Sequence, residues 1–156
     1  MNATKKTIAV LTCLTCMSIS LTSVQGQENT DLTKLHEQID AFFANLNNET
    51  VETKLAFADL IADGPLAKNE NVTNLIAKYD EITGQYGKYL EHEQVDARFI
   101  GKDLAILRYL YKAERYPVVW YFTFYRPPLT PSDDNKWMIV TIRFDTRLEL
   151  LGLLPK

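Results

Sequence analysis

The stretch YPVVWYFTFYRPP, residues 116–128, decides the fold, because it holds six of the chain's seventeen aromatic residues and alternates in chemical character. Alternate side chains point to opposite sides of a β-strand. One predicted face is wholly apolar and consists of Val118, Trp120, Phe122 and Phe124. The other carries the hydroxyl groups and consists of Val119, Tyr121, Thr123 and Tyr125. The stretch therefore predicts a strand with one face in a hydrophobic core.

Three other segments share this two-residue period, over residues 95–100, 103–113 and 136–148. Glu114-Arg115 can form a tight hairpin, and the turn-rich sequence PPLTPSDDN, residues 127–135, joins the last two strands. Short connections join neighbouring strands, so we predict a four-stranded antiparallel meander. In the last strand, the side chains predicted to pack on the helices are Met138, Val140, Ile142 and Phe144. The opposite face would carry Trp137, Ile139, Thr141, Arg143 and Asp145.

Before Gly84, apolar residues recur every three or four positions, which predicts three amphipathic helices. The first covers residues 32–46. The second is capped by Thr50, ends at Gly64-Pro65, and has an apolar stripe of Val51, Leu55, Ala58 and Ile61. The third begins at Asn71 and ends at Gly84. Residues 48–50 and 71–73 fit the N-glycosylation pattern, but we interpret them as helix caps.

Helices followed by strands predict an α+β domain, with two to three N-terminal helices packed on one face of a curved, cone-like sheet. This arrangement resembles the superfamily of nuclear transport factor 2-like α+β cone domains. The resemblance rests on FADLIADGPLA (57–67), the helix around Tyr79 and WMIVTIRF (137–144), as a pattern and not as a diagnostic motif. It implies a pocket between helices and sheet and, as often in this superfamily, self-association as a homodimer. It implies no particular reaction.

The N-terminus predicts export. Lys5 and Lys6 precede an apolar run over residues 8–21, and small residues follow at Val24 and Gly26. We predict a signal peptide over residues 1–26, cleaved after Gly26, and one secreted or periplasmic domain over residues 27–156. The run is shorter than the roughly 20 residues that span a bilayer. A retained membrane anchor is the alternative.

Charge and cysteine usage limit the partners and the stabilising bonds. Both cysteines, Cys13 and Cys16, lie in the predicted signal, so the mature chain would have no disulfide and would depend on its core. Removing the signal also removes two lysines and no acidic residue, so the formal charge falls from −3 to −5. With no basic cluster, the sequence argues against nucleic acid or an anionic membrane as partner.

The polar face of residues 116–128 is the candidate binding surface. A two-residue hairpin would bring Arg108 opposite Tyr121, whereas a one-residue slip would bring Tyr109 and Tyr111 to this face instead. Amphipathic aromatic residues beside arginine are enriched in interfaces. The predicted ligand-binding residues are Tyr121, Tyr125, Arg143 and Arg108. The alternatives are an ordinary solvated sheet face and a homodimer interface.

No metal site or cofactor is predicted. In EHEQVD, residues 91–96, His92 and Asp96 would share one face of a strand about 13 Å apart, too far to bind one ion. His36 lies one position off the apolar stripe of its helix and is expected at the surface. Without cysteine in the mature chain, a zinc site is not expected.

Catalysis has weak support, because no nucleophile elbow, P-loop or dinucleotide-binding motif occurs. The resembled superfamily includes isomerases and dehydratases with acid–base residues in an apolar cone. The corresponding candidates are Asp96, Asp103 and Asp145, with Tyr109 or Tyr121 as hydrogen-bond donor. We expect a non-enzymatic domain that binds a small apolar ligand or a protein partner. The alternative is a cofactor-free isomerase or lyase that uses a carboxylate in the cone pocket.

Overall fold

The computed structural model describes residues 23–128 and 136–151, with side chains over residues 30–128 and 136–149. Within these residues the chain forms α1 (Ser23–Leu46), α2 (Thr53–Ile61), α3 (Asn71–Tyr86), β1 (Tyr89–Ile100), β2 (Leu104–Ala113), β3 (Val118–Tyr125) and β4 (Met138–Asp145). Short 3₁₀ helices, Pro65–Lys68 and Leu148–Leu151, follow α2 and β4. The strands form one curved antiparallel sheet in the order β1-β2-β3-β4. This arrangement confirms the predicted α+β fold class.

Two predictions fall wholly or largely outside the described residues. The export signal was assigned to residues 1–26, and the description begins at Ser23. The turn-rich connection between β3 and β4 lies largely in residues 129–135. In the described part of the chain, no helix combines the length and the apolarity that crossing a membrane requires.

The pairing of β2 with β3 has the register that a two-residue hairpin predicts, with Arg108 opposite Tyr121. The turn itself is longer, because residues 114–117 lie between the two strands. All four residues predicted to face the helices are buried: Val118, Trp120, Phe122 and Phe124. On the opposite face Tyr121 is half-buried and Tyr125 is exposed. The alternation of residues 116–128 therefore predicted the orientation of β3 correctly.

A β-bulge interrupts β4. The pair Thr123–Thr141 is followed by the pair Phe124–Ile139, so β4 contains one residue, Val140, that has no counterpart in β3. A bulge reverses the faces of a strand on its two sides. The simple two-residue period cannot describe β4 along its whole length.

The prediction for β4 is therefore wrong before the bulge and correct after it. Ile139 was expected on the outer face, but it is in the core and only 2% exposed. Trp137 also packs against the core, whereas Met138 pairs with a residue of the outer face. Ile142 and Phe144 pack against the core, as predicted.

Similar irregularities in β1 separate two residues that were predicted to share a face. The pairing with β2 shifts by one residue at Leu90 and again at Val95. His92 therefore pairs with a helix-facing position of β2, and Asp96 pairs with an outer position. Their expected common face is wrong, although the conclusion that they do not share an ion is unaffected.

The core forms where α1 lies on the helix-facing side of the sheet. The buried positions of α1 recur at three- and four-residue steps and are Leu35, Ile39, Phe42 and Phe43. Phe43 lies within 6.5 Å, between ring centroids, of seven other rings, among them Trp120 and Phe122. Burying each large apolar side chain contributes about 1.5–3 kcal/mol. This cluster is sufficient to fix which side of the sheet faces α1.

Helix α2 is shorter and rotated relative to the prediction. Thr50 does not cap it, because its hydroxyl donates to the Asn48 side chain at 2.8 Å, and no side chain caps the helix. Leu55 and Ala58, predicted to face the core, are exposed. The buried residues are Ala56, Phe57, Leu60 and Ile61. The contact of Phe57 with Phe42, at 5.0 Å between ring centroids, sets the rotation of this short helix.

Helix α3 extends two residues beyond its predicted end at Gly84. It stops at Gly87, whose φ of 90° is readily adopted only by glycine and whose N–H donates to the Thr83 carbonyl at 3.0 Å. At its start, the Asn69 side chain accepts from the Asn71 backbone N–H at 2.9 Å. Asn71 is therefore the first helical residue and not the predicted cap.

Gly64 brings the end of α2 against the backbone of β4. A Cβ atom at this position would lie 2.8 Å from the Ile139 carbonyl oxygen, closer than real contacts allow. By contrast, a Cβ atom at Gly84, inside α3, would have no neighbour within 4 Å.

We therefore expect Gly64→Ala and Gly84→Ala to have opposite effects on the free energy of unfolding. Gly64→Ala should lower it by about 1–3 kcal/mol, because the backbone of β4 must move. Gly84→Ala should raise it by about 0.5–1 kcal/mol, because alanine is the better helix former. Urea unfolding of the two variants and the parent measures both values. Equal effects of the two substitutions would contradict the close approach at Gly64.

Candidate functional site

Three of the four predicted ligand-binding residues lie in one row across the outer face of the sheet. Arg108 on β2 pairs with Tyr121 on β3, which pairs with Arg143 on β4. The Arg143 guanidinium lies over the Tyr121 ring at 4.6 Å, a cation–π contact. The fourth residue, Tyr125, pairs with Met138 at the far end of β3 and does not join this row.

Arg108 is unusually buried for a charged residue, at 8% exposed. Its Nη2 and Nε atoms both donate to Asp96 Oδ2, at 2.6 and 3.2 Å. The bulge at Val95 leaves Asp96 directly opposite Arg108, so cross-strand pairing determines the partner.

A depression of about 270 Å³ opens above this row. Its lining is formed by side chains from all four strands: Arg98, Ile106, Arg108, Tyr121, Thr123, Thr141 and Arg143. Three guanidinium groups and three hydroxyl groups thus surround one small volume. We call it the outer-face depression.

A second concavity, of about 450 Å³, lies between α3 and β4 at the edge of the sheet. We call it the edge groove. Its lining is Leu66, Asn69, Asn71, Val72, Asn74, Leu75, Lys78, Val140, Thr141, Ile142, Arg143 and Phe144. Thr141 and Arg143 line the outer-face depression as well. The two concavities therefore meet at these two residues of β4.

A hydrogen-bonded cluster between α1 and β1 was not foreseen. The Asp40 carboxylate lies between two imidazoles, with Oδ1 2.8 Å from His92 Nε2 and Oδ2 3.5 Å from His36 Nε2. The Nδ1 atoms bind tyrosine hydroxyls: His92 to Tyr89 at 2.6 Å and His36 to Tyr109 at 2.5 Å. His36, expected at the surface, also stacks on the Tyr109 ring. The only sequence signal was the position of His36 beside the apolar stripe.

The tyrosines of this cluster keep their protons. Burial, and then the negative charge of Asp40, raises the pKa of Tyr109 and the pKa of Tyr89 above the ordinary value. Each hydroxyl can therefore donate to its histidine Nδ1, and the His92 Nε2–H can donate to Asp40. Both nitrogens of His92 already have partners, so a substrate would have to displace Tyr89 or Asp40. The cluster joins α1 to the sheet.

The carboxylates predicted as catalytic candidates have ordinary environments. Asp96 is paired with Arg108, and Asp145 is paired with Arg147 at 2.6 Å. Asp103 is half-buried at the turn between β1 and β2. Asp31 is buried, and Arg126 donates to it at 2.7 Å. Within the described part of the chain, no group of three or more His, Cys, Asp or Glu side chains is arranged to hold a metal ion.

No protein-family model matches the chain, and no curated protein or solved structure is significantly similar to it. The resemblance to nuclear transport factor 2-like domains therefore stays a prediction from the pattern of elements.

The pKa of Asp145 gives a direct test of its pairing. Hydrogen bonds from the side chain and backbone of Arg147 lower the pKa of this carboxyl from 3.8 to about 2. Because the folded pKa is the lower one, the pair stabilises the fold above about pH 4 and loses this effect as the pH falls to about 2.

In Arg147→Ala we expect the pKa of Asp145 to rise most of the way to 3.8, because only the backbone hydrogen bonds from residues 146 and 147 remain to lower it. Carboxyl ¹³C NMR during an acid titration measures this pKa. Lys54→Ala, an exposed cation on α2, serves as the control and should leave it unchanged. An Asp145 pKa that is the same with and without the Arg147 side chain would contradict the pairing.

Proposed function

We propose that the protein is an exported, non-enzymatic binding module that holds a carboxylate group of its partner on the outer face of the sheet. The observation that carries the proposal is the outer-face depression, where Arg98, Arg108 and Arg143 surround Tyr121. Among the described residues, only Asp96 forms an ion pair with any of these three arginines. The depression thus has two positive charges in excess, in a chain whose formal net charge is −3.

Two of the arginines are available to a ligand. Arg98 and Arg143 are exposed, and neither has a carboxylate partner among the described residues. Arginine presents a planar set of donors that matches a carboxylate and can bind both of its oxygens. Thr123 and Thr141, between them, offer hydroxyl groups to the same ligand. Arg108 forms the floor, already held by Asp96.

The size of the depression indicates that it binds a single functional group of a ligand and not a whole small molecule. Its volume of about 270 Å³ is below the 300–1,000 Å³ that is typical of sites for drug-sized ligands. An acidic side chain of a protein partner fits this volume and charge. A small free carboxylate is a second source of the same chemistry.

The surroundings of the acidic residues support binding over catalysis. An acid–base catalyst in an apolar cone needs a carboxylate whose charge is not compensated, so that its pKa rises towards neutrality. Asp96 and Asp145 are paired with Arg108 and Arg147, so the charge of each carboxylate has a cationic partner. The helix-facing side of the sheet is filled by buried aromatic side chains such as Phe43 and Trp120.

Titration with N-acetylglutamate N-methylamide tests the proposal. We expect the arginine Nε–H NMR signals of Arg98 and Arg143 to shift in a saturable way. Arg98→Ala should weaken the apparent affinity about fivefold, the effect of losing an exposed ion pair of about 1 kcal/mol. The control variant Lys54→Ala removes an exposed cation elsewhere and should bind like the parent.

A parallel titration with succinate separates the two sources of carboxylate. Similar or weaker binding of succinate supports a protein partner. If succinate binds more than about tenfold more tightly than N-acetylglutamate N-methylamide, the ligand is a small dicarboxylate and not a protein partner. Binding of both compounds that survives the loss of Arg98 and Arg143 would show that the depression is not the site.

A further inference from the structure

The free edge of the sheet at β4 is open over residues 141–145. β4 is the last strand in the sheet order, so its outward backbone groups pair with no other strand among the described residues. The end of α2 and the 3₁₀ helix Pro65–Lys68 pack against β4, and Gly64 lies against the backbone of Ile139 at the beginning of this edge. An open edge of this kind is a template for another extended chain.

The other edge of the sheet is protected. β1 has two irregularities, at Leu90 and Val95, and bulges disrupt the regular row of donors and acceptors that an added strand requires. In β4 the bulge at Val140 lies before the open segment, and pairing with β3 is regular beyond it. The two edges are therefore not equivalent, and β4 offers the regular one.

The edge groove provides a floor beside this open edge. Its apolar part includes Leu75 on α3 and Ile142 and Phe144 on β4. Asn71 and Asn74 stand on the α3 side, and neither side chain forms a hydrogen bond with another described residue. A side-chain amide both donates and accepts, as an extended backbone does. The groove thus suits a main chain with apolar side chains directed into it.

The charges around the edge groove indicate which side chains a bound segment would direct away from the groove. The edge groove includes two cations, Lys78 and Arg143, and no carboxylate among its described lining residues. Since Arg143 and Thr141 also line the outer-face depression, side chains that point away from the groove would lie towards its arginines. Alternate residues of a strand point to opposite faces. An occupant with apolar and acidic residues in alternation would satisfy both faces.

We propose that β4 accepts, as a fifth strand of the sheet, an extended segment of a partner protein in which apolar and acidic residues alternate. The open edge over residues 141–145 matches a segment of about five or six residues, roughly 17–20 Å long. Backbone hydrogen bonds to β4 hold the segment, and its alternate side chains provide specificity. The acidic half of this recognition rests on the function proposed above.

The probe for this inference is acetyl-Val-Glu-Val-Glu-Val-Glu-amide, added to the full chain. Hydrogen exchange followed by NMR reports the protection of each backbone amide. At a peptide concentration about ten times the Kd, we expect outward-facing amides of residues 141–145 to exchange about tenfold more slowly. Outward amides of β1 should be unaffected. Protection of β1 instead of β4, or of neither, would overturn the proposal.

Backbone methylation distinguishes strand addition from simple adhesion. Along a strand, successive N–H groups point to opposite edges, so only alternate amides of the peptide can donate to β4. Two peptides, one methylated on its valine nitrogens and one on its glutamate nitrogens, retain the same side chains and charges. One of them should lose binding and the other should keep it. Equal behaviour of the two would contradict strand addition.

Two charge reversals separate this inference from the function proposed above. Lys78→Glu changes the edge groove and leaves the lining of the outer-face depression intact, so it should weaken the peptide without affecting N-acetylglutamate N-methylamide. Arg98→Glu changes only the outer-face depression, and it should weaken both. If the capped glutamate binds but the peptide does not protect β4, the strand inference fails alone. If the peptide binds and Arg98→Glu has no effect, the carboxylate site and the acidic half of the inference fail.

Two further observations would replace the proposed occupant. Protection of β4 that increases with the concentration of the protein itself, without peptide, would assign the edge to a second copy of the chain. Faster exchange of β4 in a variant that ends at Leu151 would assign it to the chain's own last residues. The assignment to a partner protein requires that hydrogen exchange in β4 depend neither on the concentration of the protein nor on the residues after Leu151.

Discussion

The packing of Phe42 and Phe43 of α1 on the helix-facing side of the sheet is the interaction on which the rest of the structure depends. Both rings contact Trp120 and Phe122, two buried aromatic residues of β3. A slip of one residue would turn every side chain of a strand to the other face. It would move Arg108 into this aromatic cluster, where an unpaired charge is prohibitively costly. The contact that forms the core thus also fixes the arginines on the outer face.

The two-residue period of the sequence was sufficient to predict the strands whose pairing is regular, with one residue opposite one residue. The faces of β3 and the pairing of Arg108 with Tyr121 follow from alternation and from a short connection. The bulges at Val95 and Val140 could not be predicted in this way. In an apolar run such as MIV, residues 138–140, each side chain suits the core face, so the sequence does not show where an extra residue is inserted. The sequence predicted all four site residues on one surface, and the structure aligns three of them, Arg108, Tyr121 and Arg143. The bulge at Val140 is the reason that Ile139 was assigned to the wrong side.

The cluster around Asp40 shows why some site geometry lies beyond sequence reasoning. Asp40 and His92 are 52 positions apart and come together only because α1 packs against β1. Polar groups at the margin of an aromatic core must find partners, and here each tyrosine hydroxyl and each imidazole has one. The indole N–H of Trp120, in the centre, has no partner among the described residues. The indole N–H of Trp137, a partly buried residue that packs against the core, also lacks one, whereas the cluster around Asp40 is hydrogen-bonded.

The bulge at Val140 connects the fold to the proposed binding surface. Before it, β4 gives Ile139 to the core and backs onto Gly64, which closes that part of the edge. After it, Thr141 and Arg143 face outward, whereas Ile142 and Phe144 line the edge groove beside α3. A polar face and an apolar groove therefore meet along a regular edge. Natural sheets usually blunt such an edge, as the two irregularities of β1 do. The edge of β4 is covered before the bulge, but beyond it the edge is regular and uncovered, which departs from this rule. Such departures are expected where a surface binds a partner.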